Sequence, residues 1–414
     1  MAEDNDTYVE TSETGYLSRL GNSFKGILMG IVLVVVATGL LYWNEGRSVR
    51  AGDAIAEAKL AMVEMPSPAQ IDSSLEGQLV HACGRADTKD VLTDSMFPVK
   101  ATAISISRKA EFYQWVESSE TKKQQKLGGG EETVTTYRYE RKWVSSPVDS
   151  SSFKKQEGHA NTVKANVDSS SQYAQNVTFG AYRLPDFLIR SVGGARPLPV
   201  SLTDAQIEAL QKEIFPEQAQ QIQNAGYSYG TSFVIPRMVH ARQNTIYIGV
   251  QENQPEIGDV RVSFTQVLPA DVSLIAKVNG DSFEKFVASN GNKFSEFSMG
   301  RVSADVMFKS AEDTAAMITW GLRILGVILC VAGLNMILAP LSVLASVIPM
   351  LGSIVGAGTG IVAGLIGFAW SLIVIAISWI RFRPMLAGAL LGAAAVLIIA
   401  VFFLKKQKAP AKAA

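Results

Sequence analysis

Three windows of the chain hold no Asp, Glu, Lys, Arg or His: residues 26–43, 324–380 and 384–404. A bilayer core of about 30 Å is crossed by about 20 apolar helical residues. Gly26–Trp43 is just long enough, and Tyr42 and Trp43 close it with rings suited to the headgroup layer. It is long for the apolar region of a cleaved leader. Residues 1–25 carry five acids against Arg19 and Lys25, and no small-residue cleavage site follows at once. The pattern predicts an uncleaved anchor, 26–43, behind a polar amino-terminal tail, 1–25.

The window 324–380 would run about 85 Å as one helix, nearly three times the bilayer core. Pro340, Pro349 and Gly352 divide it. This predicts spans at 320–345 and 353–380, with a turn or a re-entrant segment over 340–352. A last span covers 384–404, between Arg381 and Arg383 on one side and a basic tail, 405–414, on the other. One amino-terminal and three carboxy-terminal spans place both termini on one side of the bilayer and residues 44–319 on the other. Lys and Arg near the spans divide almost evenly between the two sides, so the positive-inside rule leaves the orientation open.

Residues 44–319 read as a large β-rich α+β domain. Residues 51–65 are Ala-, Glu- and Lys-rich and predict a helix. Strands follow where β-branched and aromatic residues alternate: Leu79–Cys83, Ala103–Ser107, Thr133–Tyr139, Thr245–Gly249 and Val260–Phe264. Gly128, Gly129 and Gly130 predict a hairpin turn or flexible loop. A helix is expected over about 203–223, opened by Thr203 and Gln206 as a capping box, with Ile207, Leu210 and Ile214 on one face. The order strand 76–80, strand 103–107, Phe112 is echoed by strand 258–262, strand 272–278, Phe283, which fits either a duplicated β unit or chance.

Composition narrows the class. Charged residues make up 18% of the chain, against about 25% in soluble domains. Basic and acidic residues balance at 38 each, so no basic footprint for nucleic acid exists. Cys83 lies in the polar region and Cys330 in an apolar window, which predicts two unpaired thiols. His81 shares a strand face with Cys83, and a structural role is expected for it. His159 reads as a hydrogen-bonding residue of a polar surface loop, and His240 has no acidic neighbour. No metal-ligand, nucleophile-elbow or phosphate-loop motif is present, so no catalytic, metal or cofactor site is predicted. Gly356, Gly360 and Gly364 share a helix face suited to close helix packing, and Asn335 suits interhelical hydrogen bonding.

Several strings are more specific: Asn44-Glu45-Gly46-Arg47 after the first span, Tyr113-Gln114-Trp115, Gly258-Asp259 with Arg261, Trp320 with Arg323, and Arg383-Pro384. In these the chain resembles the transmembrane protein 43 (LUMA) family. The resemblance implies one amino-terminal and three carboxy-terminal spans, a lumenal or periplasmic domain, self-association and contacts with other membrane proteins. It implies the endoplasmic reticulum and inner nuclear membrane in a eukaryote, or the inner membrane in a bacterium.

Three functions are compatible with these readings. The first is a non-enzymatic membrane scaffold, a homo-oligomer that organises other membrane proteins within the lipid bilayer. The second is a channel or channel-associated subunit using the 324–380 spans. The third is a tethered enzyme, with Glu111 and Glu117 as its best carboxylates, although these read first as ordinary solvated charges. The aromatic set Tyr113, Trp115, Tyr137, Tyr139 and Trp143 is expected to serve mainly in the core.

Overall fold

A computed structural model of the chain describes residues 6–216, 237–385, 387 and 388. Its helices are α1 (Tyr16–Ala61), α2 (Asp204–Ile214), α3 (Ala304–Ala345) and α4 (Pro349–Phe382). The first strands are β1 (Thr7–Thr14), β2 (Met62–Glu64), β3 (Leu79–Thr88), β4 (Ser105–Gln125), β5 (Glu131–Val144), β6 (Ser170–Tyr173), β7 (Val177–Phe179), β8 (Tyr182–Arg183) and β9 (Arg196–Pro197). The later ones are β10 (Val239–Arg242), β11 (Thr245–Ile248), β12 (Val260–Val267), β13 (Ala270–Asn279), β14 (Ser282–Glu284) and β15 (Glu296–Met299).

Two large sheets form most of the domain, beside two of two strands each. One runs β1-β5-β4-β12-β11-β10, with β9 added to β12 and β6 to β4. The other runs β8-β7-β3-β13-β14, with β15 added to β13 and β2 to β3. In β12 alternate residues are buried, as expected when one face of a sheet meets the core. Phe112, Val262 and Phe264 form that core together with Ile207 and Leu210 of α2. The second sheet is buried on both faces: Val80, Ala82 and Leu274 point into one cluster, Leu79 and Ile275 into another. The echoed strands pair crosswise. β3 of the first unit pairs with β13 of the second, and β12 of the second pairs with β4 of the first. A duplicated unit folded about a twofold would give this arrangement.

The helices cross the expected domain boundaries at 44 and 319. The helix read at 51–65 is the continuation of α1, which runs 46 residues from Tyr16 to Ala61. Nothing in Asn44–Arg47 breaks it. Ile55 and Ala58 of α1 and Met307 and Phe308 of α3 pack on Leu79, Ile275 and Phe294 beneath the second sheet. Pro340 lies inside α3 instead of ending it, and the chain reverses at 346–348, so this region is a tight turn rather than a re-entrant segment. Pro349 opens α4, where its missing N–H is no loss. Among the described residues, three helices are long and apolar enough to cross a bilayer. The expected fourth span, 384–404, and the tail 405–414 lie almost wholly outside the described residues.

α1 packs on α3, and α3 on α4, through small residues. A methyl group added at Gly30 would lie 2.6 Å from the Gly333 carbonyl oxygen, and one at Gly333 would lie 2.7 Å from that of Gly30. Gly326 receives Leu41 and Gly367 receives Val331 in the same way, at 2.6 and 2.8 Å. Large apolar residues such as Leu28, Val35, Ile361 and Leu365 point outward, as lipid contact requires.

The amino-terminal segment is not a free tail. Thr7–Thr14 pairs along its whole length with β5, from Thr7↔Arg138 to Thr14↔Glu131. Asp6 meets His159 at 2.6 Å and Lys155 at 2.7 Å. The hairpin β4–β5 carries this strand to the far end of the helical bundle. There Arg19 donates to Gly129 O at 2.6 Å, and Gly128 N donates to Val347 O at 3.1 Å. From Phe112 to Gln125 the hairpin rises about 43 Å at about 3.3 Å per residue. From Arg19 to Glu45 α1 rises about 39 Å. Charged strands therefore accompany the apolar helices at bilayer depth, where their surroundings must be water or protein rather than lipid. Segregation of residues 1–25 from the domain is thus corrected: β1 completes one of the domain's sheets.

Other local expectations are met or moved. The strand expected at 103–107 starts at Ser105 and continues to Gln125. The capping box of Thr203 and Gln206 forms, but α2 ends at Ile214, and residues 217–223 lie outside the description. Gly128 and Gly129 make the hairpin turn with φ of 86° and 82°. Cys83 and Cys330 are both free.

Candidate functional site

The sequence-predicted residues fall into two groups that the fold keeps apart. One lies where α1, α3 and α4 leave the apolar zone. The other lies in the core of the domain.

At the first, Glu45 is fully buried. Arg323 of α3 grips it with two parallel bonds, Nε to Oε1 at 2.6 Å and Nη2 to Oε2 at 2.9 Å. Trp379 Nε1 of α4 donates to Oε2 at 2.9 Å. One carboxylate thus ties three helices together. Asn44 Nδ2 donates to Thr319 O at 3.0 Å, and Arg47 Nη2 to Thr319 Oγ1 at 3.0 Å. Arg383 Nη2 reaches Ser48 Oγ at 3.2 Å. Gly46 leaves room for the Phe382 ring, which would lie 2.8 Å from an added methyl group. Arg323 stacks on Trp320 at 4.8 Å, and Pro384 follows as an exposed residue. Positions 44 to 47 lie within about one helical turn, which is why a tetrapeptide can meet two neighbouring helices.

In the domain, Asp259 is fully buried and accepts from Tyr247 Oη, from Lys164 Nζ at 2.5 Å and from Glu256 N at 2.8 Å. Burial and this carboxylate push the Tyr247 hydroxyl above its ordinary range. Gly258 has a φ of 95° and faces Thr162, so Gly is required there. Gln114 is buried; it donates to Thr162 O at 3.1 Å and accepts from Val148 N at 2.6 Å. Arg261 pairs with Glu111 at 2.8 Å and lies over Trp143 at 4.6 Å, while Tyr113 packs on Trp143 at 5.4 Å. Glu111 is therefore a paired structural group. Glu117 likewise accepts from Tyr139 Oη at 2.6 Å and Lys154 N at 2.7 Å. Burial, followed by the Glu117 contact, pushes the Tyr139 hydroxyl up to about 12. Trp115 and Tyr139 enclose His159, which is buried rather than in a surface loop. Its Nε2 meets Asp6, 153 residues away, a contact that local pattern does not reveal.

His81 faces Glu64 Oε2 at 2.7 Å and Val302 O at 2.9 Å, so both ring nitrogens are engaged by structural partners. Cys83 Sγ lies 3.8 Å from His81 Nε2 and 3.1 Å from Ser273 Oγ. Among the described residues no group of three or more His, Cys, Asp or Glu could hold a metal ion. Among the described residues the Glu296 side chain, on β15, has no hydrogen bond or ion pair, and burial pushes its carboxyl above its ordinary value. A raised folded value means that stability is fully present below the unfolded value and is lost as pH rises through the folded one. Glu296→Gln should therefore match wild type near pH 4 and unfold at higher temperature by pH 8. Thermal melts at both pH values that superimpose throughout would remove this desolvation.

Of the expected helix-packing residues, a methyl group added at Gly356 would lie 2.9 Å from Ser342 Oγ and one at Gly360 would lie 3.9 Å from Asn335 Oδ1, both within the chain. Gly364 meets nothing within 4 Å, and Asn335 is exposed on the bundle surface. Trp379, Ser48, Lys164 and Tyr247 were not singled out from sequence. Trp379 had a signal, an aromatic residue at the end of an apolar window; the others become visible only when distant strands or helices meet.

A family model described as Transmembrane protein 43 matches residues 112–384. Transmembrane protein 43 of Homo sapiens is 27% identical over 403 residues, covering 97% of this chain and 94% of that protein. The Rattus norvegicus protein is 27% identical over 390 residues, covering 94% and 92%. A Drosophila melanogaster homolog is 27% identical over 374 residues, covering 89% and 92%. No solved structure matches. On the extent of the family match, the chain belongs to the transmembrane protein 43 family.

Proposed function

We propose that the protein is a non-enzymatic membrane scaffold that self-associates and presents its β-rich domain to other membrane proteins. One observation carries this reading. α1 and α3 run unbroken from the apolar zone into the core beneath the second sheet, so the domain is held at a fixed attitude over the bilayer. A tethered enzyme has no need of such a mount; a platform does. The unoccupied surface at Gly364 suits contact with another copy. The resemblance adds two locations, the endoplasmic reticulum and inner nuclear membrane or a bacterial inner membrane, both with the domain on the non-cytosolic side.

The test is the mass of the purified protein in lipid nanodiscs. A discrete oligomer is expected, and Gly364→Leu should reduce it to monomer without changing the melting temperature. A strict monomer for wild type would sink self-association. An unchanged oligomer in Gly364→Leu would move the contact elsewhere.

A second reading, a channel or channel-associated subunit, is favoured by the charged hairpin at bilayer depth. A polar wall beside apolar spans is what an aqueous path requires. Reconstituted vesicles that pass no ions at any applied voltage would remove it.

A further inference from the structure

Four guanidinium groups crowd the rim where the helices leave the apolar zone: Arg47, Arg323, Arg381 and Arg383. Glu45 is the only carboxylate that meets them among the described residues, and it is saturated. Arg323 takes both its oxygens, and Trp379 takes one of them again. Arg47 finds only neutral acceptors, Asn44 Oδ1 and Thr319 Oγ1. Arg383 donates to Ser48 Oγ and feels the Glu45 charge without bonding to it. Arg381 lies over the Phe382 ring at 5.6 Å and makes no hydrogen bond or ion pair among the described residues. The next carboxylates along α1 and α3 are Asp53, Glu312 and Asp313. They stand six or seven residues from Arg47 and Thr319, about 9–10 Å in rise, and Asp313 is already paired with Lys309 at 2.7 Å. The four arginines therefore outnumber the one carboxylate that meets them, and the rim is net positive.

We propose that this rim binds the phosphate of an anionic glycerophospholipid in the domain-side leaflet. The height is right. Tyr42, Trp43, Trp320 and Trp379 mark the headgroup layer, and the arginines stand within a turn or two of them. The chemistry is right as well. A guanidinium presents paired donors that match phosphate oxygens, and three of the four have donors to spare. A net positive rim selects a headgroup with net negative charge over a zwitterionic one. Below the rim the exposed apolar faces of α1 and α4 provide a surface for the acyl chains. The inference holds whether or not the chain self-associates.

The full chain is purified into nanodiscs of phosphatidylcholine alone or with about 30 mol% phosphatidylglycerol. Melting temperature and lipid retained in native mass spectrometry are read. Phosphatidylglycerol should raise the melting temperature and remain bound, while phosphatidylcholine should not. The double variant Arg381→Gln, Arg383→Gln should lose retention by about tenfold or more, the loss of one charge-assisted contact. It should melt like wild type in phosphatidylcholine. If that variant does not fold, Arg383→Lys serves instead, keeping the charge and losing the paired donors. Equal retention of both lipids by the wild type overturns the proposal without reference to any variant. Equal protection of the lipid-stripped protein by inorganic phosphate overturns the lipid source and leaves a free-anion site.

Discussion

Glu45→Gln is expected to destabilise the helical bundle by about 3–5 kcal/mol, the penalty for leaving one member of a buried ion pair without its partner. Arg323 is 13% exposed and would keep its charge with no carboxylate to receive it. The Trp379 N–H would retain a neutral acceptor, but the paired grip that orients α3 against α1 would be gone. A shape-conserving apolar double change, Glu45→Leu with Arg323→Met, should recover most of the loss. Removing both charges together is often neutral where removing one is not. Thermal unfolding of the purified protein in nanodiscs reads all three. A single variant as stable as wild type would show that the pair is dispensable. A double variant as unstable as the single would place the role of Glu45 in something other than neutralising Arg323.

Gly333→Leu should have the second largest effect. Gly30 and Gly333 bring the backbones of α1 and α3 together with no room for a methyl group on either side, and the obstructing atoms are carbonyl oxygens. Rotamer change cannot relieve such a clash, so the helices must separate, at about 3 kcal/mol or more. Gly358→Leu, where nothing lies within 4 Å, is the matched control and should fall within about 0.5 kcal/mol of wild type. If both variants melt alike, close backbone approach is not what holds the bundle.

The same glycines show where sequence reading stops. Gly356, Gly360 and Gly364 stood out because they repeat every four residues. The tightest crossings use Gly30, Gly326, Gly333 and Gly367, which show no such repeat. Helical spacing identifies a face; it does not say which helix the face meets. The apolar windows and the strands at 79, 133, 245 and 260 were legible because period and composition are local properties. Asn44–Arg47, Arg323 and Arg383 were legible as motif residues, yet their convergence was not, since it depends on how three helices end at one height. β1 was missed for a related reason. An acidic, weakly apolar octapeptide has no face to bury by itself, and its partner lies more than a hundred residues on. His159 was misplaced along with it.

That pairing bears on how the molecule is made. Thr7 leaves the ribosome long before Arg138, its partner across the ladder. At about 5–20 residues per second, roughly 7 to 26 s pass with β1 synthesised and unpaired. The ladder closes a loop of more than a hundred residues, so this edge of the sheet should form late and slowly. Glu10 and Glu13 leave the waiting strand charged, which is how an unpaired edge resists joining the wrong neighbour. The acids near the amino terminus thus act first as guards of a nascent chain and only afterwards as partners of Lys154 and Lys126.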